Sequence, residues 1–234
     1  MNNELDLELF SRLRASVSGT VEPDIDKEIM LAGQSIHRWL KYCLYHYSNL
    51  PHSSDRPDLV LDRIGQYRRG GESVEYRYVY EANIIGFLNS LHALLDSFPH
   101  LLNLVIPTKP TLRPSNIRWS EDFINRYESH VFYSALKGFM IEKSFNVVKS
   151  YVNIAKHRHL IRVANNWDVL EFEEFEAKLP VVDDRGKIVY RTSHIHRRDA
   201  VQFLMECHDE LVPKFFDLCR DVTSSCGFHS VVGP

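Results

Sequence analysis

The sequence predicts a mainly α-helical bundle with one small β-hairpin inserted before the C-terminal helix. Apolar residues recur at alternating spacings of three and four across Ala82–Leu104, and again at helical spacing across Val201–Val222. The run Val181-Val-Asp-Asp-Arg-Gly186 reads as a hairpin turn between two strand-like stretches. Apolar residues make up 44% and aromatic residues 12% of the 234, which is ample for a core and argues against global disorder.

Taken in order, Glu4–Val17 places Leu5, Leu9 and Leu13 on one side of a first helix. Pro23, Asp24 and Asp26 suit a helix N-terminus, and the run to about Asn49 turns Ile29, Ile36, Trp39, Leu40, Cys43 and Leu44 inward. Pro51–Pro57 is a loop by composition, Arg68-Arg-Gly-Gly71 marks a break, and Ser73–Tyr80 fits either a strand or the lead into a helix. The helix Ala82–Leu104 carries Ile84, Leu88, Leu91, Leu95, Phe98 and Leu102. Pro107, Pro110 and Pro114 then impose a stiff connection. Ser120 ahead of Glu121 and Asp122 reads as an N-cap opening a helix through Met140. Lys143–Val163 follows, either continuous with that helix or bent near Gly138. Val169–Leu179 and Lys187–Thr192 flank the turn, giving a single domain over 1–234 with a β-hairpin appendage at about 168–193. The last helix sets Val201, Leu204, His208, Leu211, Phe215, Leu218 and Val222 on one side, with a kink expected at Pro213 and a frayed tail from Ser224.

The balance of 28 basic and 31 acidic residues, a formal charge of −3, argues against a broad duplex-binding face while allowing a local phosphate site. No apolar run is long enough to span a bilayer, and the acidic start does not read as a signal peptide. Cys43, Cys207, Cys219 and Cys226 form no C-x-x-C pair, and the buried-thiol pattern suits a reducing compartment, so a cytoplasmic protein is expected. Nucleotide fingerprints and a Gly-x-Ser-x-Gly elbow are missing, and no cofactor is expected.

Chemistry concentrates in Tyr151–Arg162. On a helix, Asn153 and His157 stack at i, i+4, with Lys156 and Arg158 beside them and Arg162 one turn on. His157 is the candidate acid or base, Asn153 orients it, and Lys156, Arg158 and Arg162 are candidate phosphate ligands. The competing reading is a solvated polar face with Ile154, Leu160 and Ile161 turned inward. Asn89, His92, Asp96 and Asn103 make a second polar line, in which Asp96 could fix the His92 tautomer or the groups could satisfy one another. Of the His-x-His pairs, His157/His159 would point to opposite sides of a helix and His194/His196 lacks a third ligand, so no metal site is expected. Trp39, Tyr42, Tyr45 and Tyr47, with His37 and His46, suit a core or a subunit interface.

Asn153-Ile-Ala-Lys-His157 resembles the signature of the HEPN superfamily, helical bundles of many prokaryotic toxins and defence ribonucleases. That signature is an arginine, a polar residue, three variable residues and a histidine. The arginine position falls on Val152, which can neither bind phosphate nor act as an acid. Arg191-Thr-Ser-His-Ile-His196 repeats the arginine-to-histidine spacing. The resemblance implies metal-independent action on RNA at a homodimer interface. With Val152 in place, Lys156 or Arg158 substitutes or the site is degenerate. RNA or a nucleotide is then the expected partner. The alternative is a non-catalytic immunity or regulatory bundle that binds another protein.

Overall fold

The computed structural model describes residues 8–50, 66–69, 72–166 and 169–227. Its helices are α1 (Leu9–Val17), α2 (Pro23–Ser48), α3 (Tyr76–Asp96), α4 (Phe98–Val105), α5 (Glu121–Ile124), α6 (Tyr133–Met140), α7 (Lys143–His157), α8 (Ala200–Glu206) and α9 (Val212–Gly227). Three small antiparallel sheets accompany them. β1 (Gln66–Arg69) pairs with β2 (Glu72–Glu75), and β4 (Val169–Phe172) lies between β3 (Val163–Asn166) and β7 (Arg198–Asp199). β5 (Phe175–Val182) and β6 (Ile188–Ile195) form the expected hairpin ahead of the C-terminal helices. The fold is mainly α, and the anticipated stripes of α2, α3 and α9 meet in one buried cluster that also takes in Leu9 and Leu13 of α1.

Several boundaries differ from the periodicity, each for a physical reason. The helix expected from Ala82 to Leu104 breaks at Ser97, because Pro99 has no N–H to give the carbonyl of Leu95 and stands instead in the first turn of α4. That carbonyl accepts the indole N–H of Trp119 at 2.8 Å. Ser120 does cap α5, its hydroxyl accepting from the Phe123 N–H at 3.3 Å. The chain leaves the helix after Ile124, however, so that Tyr127 and Phe132 are buried and the Tyr127 hydroxyl donates to Ile106 O at 3.2 Å. α7 is separate from α6, because the buried Asn146 side chain donates to Met140 O and Glu142 O, both at 2.8 Å, and so holds the turn between them.

α7 also ends at His157 rather than Val163. Ile154 O accepts from both Arg158 N (2.9 Å) and His159 N (3.3 Å), after which the chain extends into β3 with Ile161 and Val163 buried. The hairpin begins later than expected, because Val169–Phe172 pairs with β3 and β7 instead. Its turn is built on Asp183, whose Oδ1 accepts from Arg185 N and Lys187 N, with Gly186 in the left-handed region at φ +75°. Lys137 of α6 donates to Gly186 O at 3.0 Å and fastens the tip.

The last helical segment is interrupted by a π turn, Cys207–Leu211, in which Val212 N–H reaches back five residues to Cys207 O, just ahead of Pro213. Ser224 to Gly227 remain helical, so the tail is ordered further than expected. Ser73–Tyr80 resolves as the end of β2 and the start of α3. The loop expected at Pro51–Pro57, Gly70 and Gly71 of the break, and the start of the first helix lie outside the described residues.

α2 and α3 meet closely at Gly86, where an added Cβ would stand 2.5–2.8 Å from three atoms of the His46 ring. That ring is held by a 3.1 Å contact from Nδ1 to Asn83 Oδ1. Gly86→Ala should therefore destabilise the fold by about 1–2 kcal/mol despite the roughly 1 kcal/mol helix-propensity gain of alanine. In a His46→Ala background the same change should become neutral or stabilising, which a denaturant double-mutant cycle reads directly.

Candidate functional site

α7 is fixed from its core side. Tyr151 lies 4.3 Å from the ring of Phe172, 4.7 Å from Phe175 and 5.8 Å from Phe203, which pins the helix on β4, β5 and α8. Burial pushes the Tyr151 hydroxyl well above its ordinary range, and its oxygen has no hydrogen-bond partner among the described residues. With that side committed, Ser150, Asn153, Ile154 and His157 fall together on another face at i, i+3, i+4, i+7. They form one wall of an open groove of about 540 Å³. Glu176, Ala177 and Lys178 of β5 and Thr192 of β6 form the other wall, and Arg158 contributes from the end of the helix.

The groove is rich in unused donors. Asn153, His157, Arg158 and Lys178 are all exposed, and their side chains make no hydrogen bond or ion pair with the described residues. Glu176 is the one carboxylate in the lining, and the Ser150 hydroxyl donates to Asn146 O at 2.7 Å. Such an arrangement can receive an anion through charge-assisted hydrogen bonds, with an imidazole on one wall and a carboxylate on the other.

Not every expected residue joins it. Lys156 is exposed but does not line the groove, and instead acts electrostatically on His92 of α3. Arg162 is past the helix end, 3.6 Å from Glu173 with its side chain 73% exposed, and lines no part of the groove. Val152, at the motif's arginine position, is 2% exposed and faces an apolar crevice with Ile85 and Leu88. The second match runs from β6 to the residue just past it, with His194 3.6 Å from Glu174 and its ring packed on His196 at 4.6 Å. No group of three metal-ligating side chains occurs among the described residues. The residues that sequence reasoning missed are Glu176, Lys178 and Thr192. Only the hairpin's register, which pairs Lys178 with Thr192, brings them to α7.

The polar line on α3 divides. Asn89 and Asp96 are exposed and Asn103 belongs to α4, where Thr108 donates to it at 3.4 Å. His92 alone turns inward, 7% exposed, with no partner for Nε2 among the described residues. Burial first, then the cations Lys156 and Lys149 of α7, hold its pKa down at about 4, against the opposing pull of Asp96. The line therefore meets α7 on the Lys149–Lys156 edge rather than at Asn153 and His157.

No family model, curated protein or solved structure gives a significant match to this chain.

The imidazole of His92 is neutral in the fold at pH values where the unfolded chain, titrating near 6.5, is already protonated. Stability should therefore fall as pH drops from about 6.5 to about 4, by roughly 3 kcal/mol from this group. His92→Phe should flatten that part of the profile. Equal slopes in urea titrations of the two proteins across this window would contradict it.

Proposed function

We propose that the groove between α7 and the β5–β6 hairpin binds the phosphate of an RNA or nucleotide, and that it is catalytically degenerate. One observation carries this reading: the side chains of Asn153, His157, Arg158 and Lys178, unpartnered among the described residues, converge on one concavity lined by a single carboxylate. Its volume of about 540 Å³ lies within the usual range of small-ligand sites, roughly 300–1,000 Å³. Arg158 supplies a planar, permanently charged fork suited to phosphate oxygens, and Lys178 adds a second cation from the facing wall.

The HEPN-like reading gains some support because Asn153 and His157 share the groove, as the resemblance would require. It also loses its usual cation, since a buried Val152 cannot take the arginine's place. Arg158 lines the groove with His157 instead, from just past the end of the helix. Binding tolerates such a displacement, whereas cleavage depends on a cation aimed at the charge that develops in the transition state. Loss of one such donor commonly costs about 10²–10³ in rate.

Titration of the protein with fluorescently labelled RNA and with a labelled mononucleotide tests the reading. Arg158→Ala and His157→Ala should each weaken binding at least ~10-fold, as expected for a charge-assisted contact of about 1.5–3 kcal/mol. Wild-type affinity retained in both variants would reject the groove. Total RNA incubated without added metal should stay intact, and cleavage that disappears in His157→Ala would reject the degenerate half of the proposal.

A further inference from the structure

We infer that the groove is one end of a longer track for a flexible phosphodiester strand, which runs along the Lys149–Lys156 edge of α7 to a second cationic depression at Arg118 and Arg126. The inference rests on the phosphate reading of the groove and names the kind of ligand that would occupy it. The second depression, of about 440 Å³, is lined by Arg118, Arg126, Asn116 and Asn125, with Asp122 its one carboxylate. Arg126 uses one guanidinium N–H on Pro110 O, at 3.5 Å, and retains its other donors.

The segment that carries this depression packs against the beginning of α7. Trp119, the neighbour of Arg118, packs 5.7 Å from Phe145 in the first turn of α7. Lys149 Nζ stands 6.0 Å over the same Phe145 ring, which brings its charge next to Arg118. From there Lys149, Asn153 and Lys156 recur at i, i+4, i+7 and make one line along the helix. Asn153 also lines the groove, so line and groove are continuous. Electrostatics agrees with this placement: Arg118 acts on Lys149, and Lys149 and Lys156 both act on His92. Asp96 is the acidic group beside this line.

Length and charge select the ligand. At about 1.5 Å per residue, Asn153 and His157 of the groove lie about 12–18 Å along α7 from Phe145, beside which Arg118 stands, which is more than one phosphate can bridge. From Lys143 to Arg198 the chain has 11 basic and 7 acidic residues, although the whole protein carries −3. Two concavities joined by a narrow cationic edge suit a single strand tracked by its backbone, whereas a duplex needs a broad basic face.

The test compares a labelled mononucleotide with single strands of about ten nucleotides, ribo and deoxy, in wild type and in Arg118→Gln/Lys149→Gln. The wild type should bind the strand at least ~10-fold more tightly than the mononucleotide. The double variant should lose most of that gain, keep its mononucleotide affinity within about 2-fold, and lower the salt slope of strand binding by about 1.4, near 0.7 for each lost phosphate contact. Mononucleotide binding without a length-dependent gain, or a gain untouched by the double variant, overturns the track and leaves the groove standing. Strand binding that depends on Arg118 and Lys149 without mononucleotide binding rejects the groove and, with it, a track that ends there. Binding of neither rejects both. A preference between ribo and deoxy strands identifies the source of the phosphodiester, and circular dichroism confirms that the double variant is folded.

Discussion

The geometry of this protein turns on one hydrogen bond, from the Trp119 indole to the carbonyl that Pro99 leaves without a helical partner. A proline inside a long apolar helix is a local cost, and Leu95 O would be a buried acceptor with nothing to accept. Trp119 satisfies it from 24 residues away, and in doing so draws the proline-rich connection back against the end of α3. The indole then packs on Phe98, Phe139 and Phe145, which belong to α4, α6 and α7. The first turn of α7 is thus placed relative to α3 by an aromatic cluster built around a helix break.

The proposed groove lies along α7, and the helix is divided by face. Val148, Tyr151 and Val152 are buried and anchor it, while Ser150, Asn153 and His157 face the hairpin and Lys149 and Lys156 lie along the edge toward α3. Because the core side is packed with rings, the helix cannot rotate to hide its polar residues. His92 shows what the same neighbourhood does to a group on the wrong side of the boundary. It has been taken out of water beside two cations and is held neutral.

The helical architecture was legible in the sequence because the apolar stripes of α2, α3 and α9 are long and regular, and burial follows them closely. The breaks were less legible. Pro99 was masked by the apolar run around it, and α7 ends without glycine or proline, through a bifurcated carbonyl at Ile154 and the demands of β3. Within the candidate site, Asn153 and His157 could be paired from their spacing alone, since i, i+4 geometry is local. Lys178, Thr192 and Glu176 could not, because their place opposite α7 depends on hairpin register and on the docking of the hairpin tip through Lys137. Lys156 and Arg162 were misplaced for a related reason: sequence adjacency on a helix says which residues are near one another but not which wall of a cleft they join.

The π turn at Cys207–Leu211 sets a constraint on how this chain can change length. It absorbs one residue more than an α-helical path between α8 and α9 would need, so that Phe215, Leu218 and Val222 of α9 still face inward. Excising a single residue there would return the backbone to a regular α-helix and leave that ridge in phase. A further inserted residue, with no second wide turn to absorb it, would swing the ridge by about 100° and present Phe215 and Val222 to water. Single-residue deletions in this stretch should consequently be tolerated better than insertions.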